Sequence, residues 1–218
     1  MGSVGQDINK IKDWLSQEGG SGGGTPQEID ISKLGNATLQ DIEGKIRNLS
    51  REQLYVFDEN DKLVAGYQGD KTSVSFPTDL LQMQGVTVTH GHPKGMEEFG
   101  GTFSFADINN MLRSNWAEHR ATASGQGEMN YIMRSTNNAN PRGLRNKINR
   151  DYQKLQRNIS DTYKKAYDKT IKSGGSRQNA RHVARQSAVG LLNRYYKNTM
   201  SKYGYEYITR KEAYEYGR

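Results

Sequence analysis

The stretch "VTVTHGHPKGMEEFGGTFSFADINNML", residues 86–112, decides how the rest of the chain is read. Its opening residues alternate β-branched side chains and run straight into His90, the pattern of a buried strand. His90 and His92 stand two residues apart at the end of that strand, so both imidazoles share one face. Gly100 and Gly101 let the connection fold back. Ser104 then caps a helix over 103–116 whose apolar side is Phe105, Ile108, Met111 and Leu112. Asp107, one turn in, would face the strand end. Two imidazoles and a carboxylate with a fourth position open form a ligand set that zinc accepts.

The same residues have a plainer reading. Ser104 and Asp107 have the spacing of a capping box, and His92-Pro93 could be a turn, with no chemistry in either. His-X-His alone is weak grounds for a metal. The ordered set of strand, His-X-His-Pro, glycine-rich loop, Ser-X-X-Asp and helix is much rarer by chance, and it favours the metal reading.

The flanking segments predict an α+β chain. A helix is expected around 38–48, with Leu39, Ile42 and Ile46 on one side. Two strands follow within 52–77 around Asp58-Glu59-Asn60-Asp61, with a third candidate at 73–76 and a short helix or turn at 78–85. Residues 120–135 read as a hairpin. Beyond Pro141 the texture changes to two long polar helices, 144–172 and 176–203, around Ser173-Gly174-Gly175-Ser176. Their apolar residues recur at three and four, which describes a helical hairpin with one buried seam. Ten of the thirteen tyrosines lie beyond residue 141, and packing of that seam is the favoured use for them over stacking on bases.

At the other end, Val4, Ile8, Ile11 and Leu15 form the stripe of a short amphipathic helix, expected to dock on the body or on a partner. The "GGSGGG" at 19–24 is a linker by composition. With the leading Met-Gly-Ser it has the look of an engineered join, which sets residues 1–24 apart from a domain at 25–141 and the basic hairpin at 142–218.

Composition bounds the function. Of 218 residues 33% are hydrophobic and the mean hydropathy is -0.93, which suits one core plus a solvated extension. Zero cysteines exclude disulfides, thiolate nucleophiles and Cys-ligated zinc. No apolar run approaches the ~18 residues of a membrane span, and no signal peptide is visible, so a cytoplasmic or virion-associated location is expected. The net charge of +7 divides unevenly: residues 142–218 carry 19 basic against 6 acidic side chains, and residues 1–141 carry 12 against 18. Such a tail could bind nucleic acid, although a solvated helical face is the commoner meaning.

The motif over residues 36–135 resembles the JAB/MPN (JAMM) metallopeptidase signature, as in RadC-like proteins. It is most similar to the JAB-like domains of phage minor head proteins and phage-associated polymorphic toxins. The resemblance implies an α/β/α sandwich in which His90, His92 and Asp107 bind zinc and Ser104 hydrogen-bonds the developing oxyanion. It also implies an upstream carboxylate acting on the attacking water. Glu52, before "VFD", is the first choice, and Glu43, from the preceding helix, the second. The implied activity is hydrolysis of peptide or isopeptide bonds in a protein or peptide substrate. Eleven residues separate His92 from Ser104, four more than that pattern carries, and the extra length is expected to build one wall of the cleft. His119 is expected on the surface, far down the helix that follows. The rivals are a metal-dependent nuclease-type toxin and an inactive JAB-like virion or partner-binding module. A zinc deaminase is disfavoured by the lack of cysteine and of His-X-Glu.

Overall fold

The computed structural model describes residues 4–16, 26–69, 74–92, 102–123 and 129–211. Seven strands are found there: β1 (Gln27–Glu28), β2 (Gln53–Phe57), β3 (Leu63–Gln68), β4 (Thr87–Gly91), β5 (Glu118–Ala123), β6 (Met129–Ser135) and β7 (Tyr205–Lys211). They pair in the order β1-β3-β2-β4-β5-β6-β7, antiparallel throughout except for β4 with β5. Six α-helices accompany them: α1 (Val4–Ser16), α2 (Leu39–Ile46), α3 (Thr78–Gln82), α4 (Phe105–Arg113), α5 (Pro141–Lys172) and α6 (Arg177–Met200). The chain is α+β, as expected, and its strands form one mixed sheet. None of the described helices is long and apolar enough to cross a membrane.

Strand alternation divides the sheet into two unlike faces. On one, Leu54, Val56, Val88, Ala121, Tyr131 and Met133 meet α4 and the α5–α6 hairpin in the main core. On the other, Tyr55, Phe57 and Leu63 meet Ile42 and Ile46 of α2. The β2–β3 turn follows its sequence. Asp58 Oδ1 accepts from the backbone N–H of Asn60 and Lys62, both at 2.9 Å, and Asp61 takes φ 59°, as short polar residues do in tight turns.

Three expectations need correction. Residues 74–77 form no strand; Val74 is buried in the core as part of a connection. The helix at the motif ends at Arg113, because Ser114 is extended and Trp116 turns the chain into β5. The segment after residue 203 is β7, the last strand of the sheet, with Tyr205 and Tyr207 on its buried side. Gly204 enables that return at φ 75°, where a Cβ would lie 2.3 Å from the Asn138 carbonyl oxygen.

The α5–α6 hairpin forms as expected. Its seam of Leu144, Ile148, Leu155, Ile159 and Tyr163 against Ala184, Ala188, Leu192 and Tyr196 belongs to the same core cluster as the sheet. The tyrosines described beyond residue 141 are buried in that core or packed against it, in line with seam packing. Two of them grip the segment that enters α4. Tyr196 donates its hydroxyl hydrogen to the Phe103 carbonyl at 3.2 Å, and the Tyr207 hydroxyl meets Thr102 Oγ1 at 2.9 Å. Truncation after Asn140 is therefore expected to abolish cooperative folding, since it strips β6 of a neighbour and uncovers a core face. A soluble fragment with a sigmoidal melt would contradict this.

Candidate metal centre

β4 lies between β2 and β5, and its residues are buried on both faces except Thr87. His90 pairs in register with Leu54 on one side and Ala121 on the other. The His92 N–H donates to the Thr122 carbonyl at 2.9 Å, extending the parallel ladder one residue past the strand. Both imidazoles are thus fixed on the core face by backbone pairing. Gly91 points to the opposite face, where a Cβ would come within 2.8 Å of the Ile46 carbonyl oxygen. The glycine of His-Gly-His lets α2 lie against the strand.

Asp107 arrives from the first turn of α4. Ser104 is its N-cap, and the capping box is complete. The Asp107 N–H donates to Ser104 Oγ at 3.2 Å, while the Ser104 N–H and hydroxyl donate to Asp107 Oδ2 at 2.8 and 2.7 Å. This leaves Oδ1 toward His90. His90 Nε2 lies 3.4 Å from Asp107 Oδ1, His92 Nε2 lies 3.9 Å from Oδ2, and the two Nε2 atoms are 3.1 Å apart. A tetrahedral ion with bonds of ~2.0–2.1 Å holds its donor atoms about 3.3–3.4 Å apart. The two separations from His90 Nε2, 3.1 and 3.4 Å, are close to that spacing and the His92–Asp107 separation of 3.9 Å is wider; together the three groups could hold a metal ion. The cap and the ligand set are one carboxylate in two roles.

Burial sets the protonation. It pushes His90 down to about 3, although the Asp107 carboxylate works the other way. For Asp107, burial alone would raise the carboxyl, but the facing His90, His92 and His119 rings and the Ser104 hydroxyl hold it below its ordinary value. Neutral imidazole and ionised carboxylate are the forms that bind metal. The Asp107 side chain is 12% exposed against 2% for His90, so solvent approaches from the carboxylate's side.

His119 corrects an expectation. It lies on β5, fully buried, and its ring stacks at 5.0 Å from His90 and 5.3 Å from Phe103. Its Nδ1 is 3.1 Å from the Asp107 carbonyl oxygen, an acceptor, so Nδ1 carries the hydrogen. His119 thus buttresses His90 by ring contact and Asp107 through the backbone. Burial lowers it to about 4. The alternation of "EHRATA" after Ser114-Asn115 was the signal for it, and overrunning the helix to residue 116 concealed it.

The two candidate bases lie on different faces. Glu43 is fully buried on the α2 side, where Oε1 accepts from Thr89 Oγ1 at 2.9 Å and Arg120 Nε at 2.6 Å. Its Oε2 accepts from Arg120 Nη2 at 3.1 Å and Asn130 Nδ2 at 3.0 Å. Thr89 adjoins His90 in the strand and so points away from it; Glu43 is across the sheet from the histidines. Arg120 continues the network to Glu118 at 2.6 Å, and Glu118 to Arg134 at 2.7 Å. Glu52, buried at the start of β2, falls opposite His92 when the Leu54–His90 register is continued two residues, on the histidine face. The loop expected to wall the cleft, with Gly100 and Gly101, lies outside the described residues.

Comparison with protein-family models, with curated proteins and with solved structures finds no match for this chain.

Two outcomes follow from this arrangement. Glu43→Ala leaves Arg120 buried without its main partner and is expected to cost about 3–5 kcal/mol of stability, while the protein that remains folded keeps its metal affinity. Loss of affinity at unchanged stability would place Glu43 on the wrong face. Unfolding releases His90 and His119 to bind protons near pH 6.5 that the fold refuses until about pH 3 to 4. The chelated protein is accordingly expected to lose stability as pH falls from about 6.5 toward 4. Urea denaturation at pH 7 and pH 5 with chelator present measures this; equal midpoints would contradict it.

Proposed function

We propose that the chain is a zinc-dependent hydrolase of peptide or isopeptide bonds on a JAB/MPN-like α/β/α sandwich. The observation that carries this reading is the convergence of His90 Nε2, His92 Nε2 and the Asp107 carboxylate within 3.1 to 3.9 Å of one another. Two nitrogens and one oxygen, without sulfur, suit a zinc site that keeps a position for water. His90, His92 and Asp107 would hold the ion. When bound, it supplies Lewis acidity to the scissile carbonyl and a water that ionises near neutral pH.

The remaining steps belong to the chain. Glu52, on the histidine face at the mouth of β2, accepts a proton from the attacking water and passes it to the leaving nitrogen. Ser104 aligns Asp107 through the capping box, and its hydroxyl, turned from Oδ2, donates to the oxyanion that develops on the substrate carbonyl. The Phe76, Phe103 and Trp116 rings around His119 exclude water behind the ligands, which strengthens each charge interaction in front of them.

Glu52→Gln is expected to keep the fold and the metal while lowering amide hydrolysis by about 100-fold or more. Fluorogenic peptide and isopeptide substrates, with metal content measured on the same samples, provide the test. Wild-type turnover in this variant would remove Glu52 from the base role.

A further inference from the structure

α1 places a charge where amphipathic helices place none. Val4, Asp7 and Ile8 lie at i, i+3 and i+4, on one stripe. Val4 and Ile8 pack against the main core, and Asp7 between them is 3% exposed. A carboxylate on an apolar stripe is costly to bury unless its site is built to receive it.

The receiving site belongs to the hairpin. The Tyr163 hydroxyl of α5 donates to Asp7 Oδ2 at 2.9 Å. From α6, Arg181 Nε lies 3.1 Å from Oδ2 and Arg185 Nη2 lies 3.5 Å from Oδ1. Tyr163 is fully buried, and the two arginines stand one helical turn apart, so the carboxylate bridges two cations that would otherwise repel. α4 and α5 form the walls against which α1 rests.

The sequence treats α1 as a ligand on a tether. Five of the nine residues at 17–25 are glycine, the composition of a linker. A helix of 13 residues is marginal alone in water, so it forms on its groove. A short tether supplies an effective concentration of the order of millimolar, and modest intrinsic affinity then keeps the groove filled.

We propose that the groove of α4, α5 and α6 is a receptor for an amphipathic helix bearing one carboxylate on its apolar stripe. α1 is its separable occupant, and the same helix presented by another chain takes its place. This inference is independent of the metal centre.

The test uses the full chain with a specific protease site placed within residues 19–24, cut after folding. A labelled peptide of residues 4–16 is then titrated in, read by fluorescence anisotropy. The peptide is expected to exchange into the groove, and its Asp7→Asn form to bind about tenfold or more weakly, as loss of a charge-assisted hydrogen bond requires. Arg181→Gln in the body should shrink that difference between the two peptides. Equal binding of the two peptides to the parent body would reduce the groove to apolar contact and overturn the proposal. Absence of exchange, or unfolding on cleavage, would make α1 part of the core and overturn it equally.

Discussion

A strand paired on both sides cannot turn one side chain without turning all of them, and β4 is such a strand. Its two-residue period sends Val88, His90 and His92 to the core face, and Thr89 and Gly91 to the face of α2. Backbone pairing to β2 and β5 locks that assignment. A slip of one residue would carry the imidazoles into the Glu43–Arg120 network and Thr89 into an apolar core. The sheet therefore holds two incompatible chemistries apart by one peptide unit. On one side lies an aromatic-walled histidine cluster; on the other lies a buried chain of alternating charges.

The charge network explains why the histidine face can be rigid. Glu43 ties α2 to β4, β5 and β6 through Thr89, Arg120 and Asn130, while Arg47 Nε donates to Thr122 Oγ1 at 2.9 Å. Buried pairs of this kind are weak sources of net stability but costly to misalign. They fix where β5 sits relative to β4, and hence where His119 stacks on His90. On the other face the capping box fixes the Asp107 carboxylate by local bonds. His119 links the two mechanisms, because its ring lies against His90 and its Nδ1 holds the Asp107 carbonyl.

The His90–His92–Asp107 cluster was legible because each part has a local signature: alternation into His-X-His, and Ser-X-X-Asp at a helix start. The capping reading of Asp107 describes the structure and does not compete with the metal reading, because the cap uses Oδ2 and Oδ1 faces His90. The choice between Glu52 and Glu43 needed the sheet register and the side on which α2 packs, and no local pattern encodes either. His119 was lost to a helix end placed three residues late, and β7 to a hairpin pattern whose strong seam hid the two-residue alternation of "YEY". Long-range pairing, which returns β7 beside β6 across the whole hairpin, is decided by tertiary burial and not by its seven residues.

The most direct measurement of the central claim is elemental analysis of the protein purified without chelator, beside His90→Ala prepared identically. About one zinc per chain in the parent, with most of it lost in the variant, is the result expected of three converging ligands. Metal well below one per chain, unchanged by His90→Ala in a protein that remains folded, would contradict the account and leave His90, His92 and Asp107 as a capped helix packed on a strand.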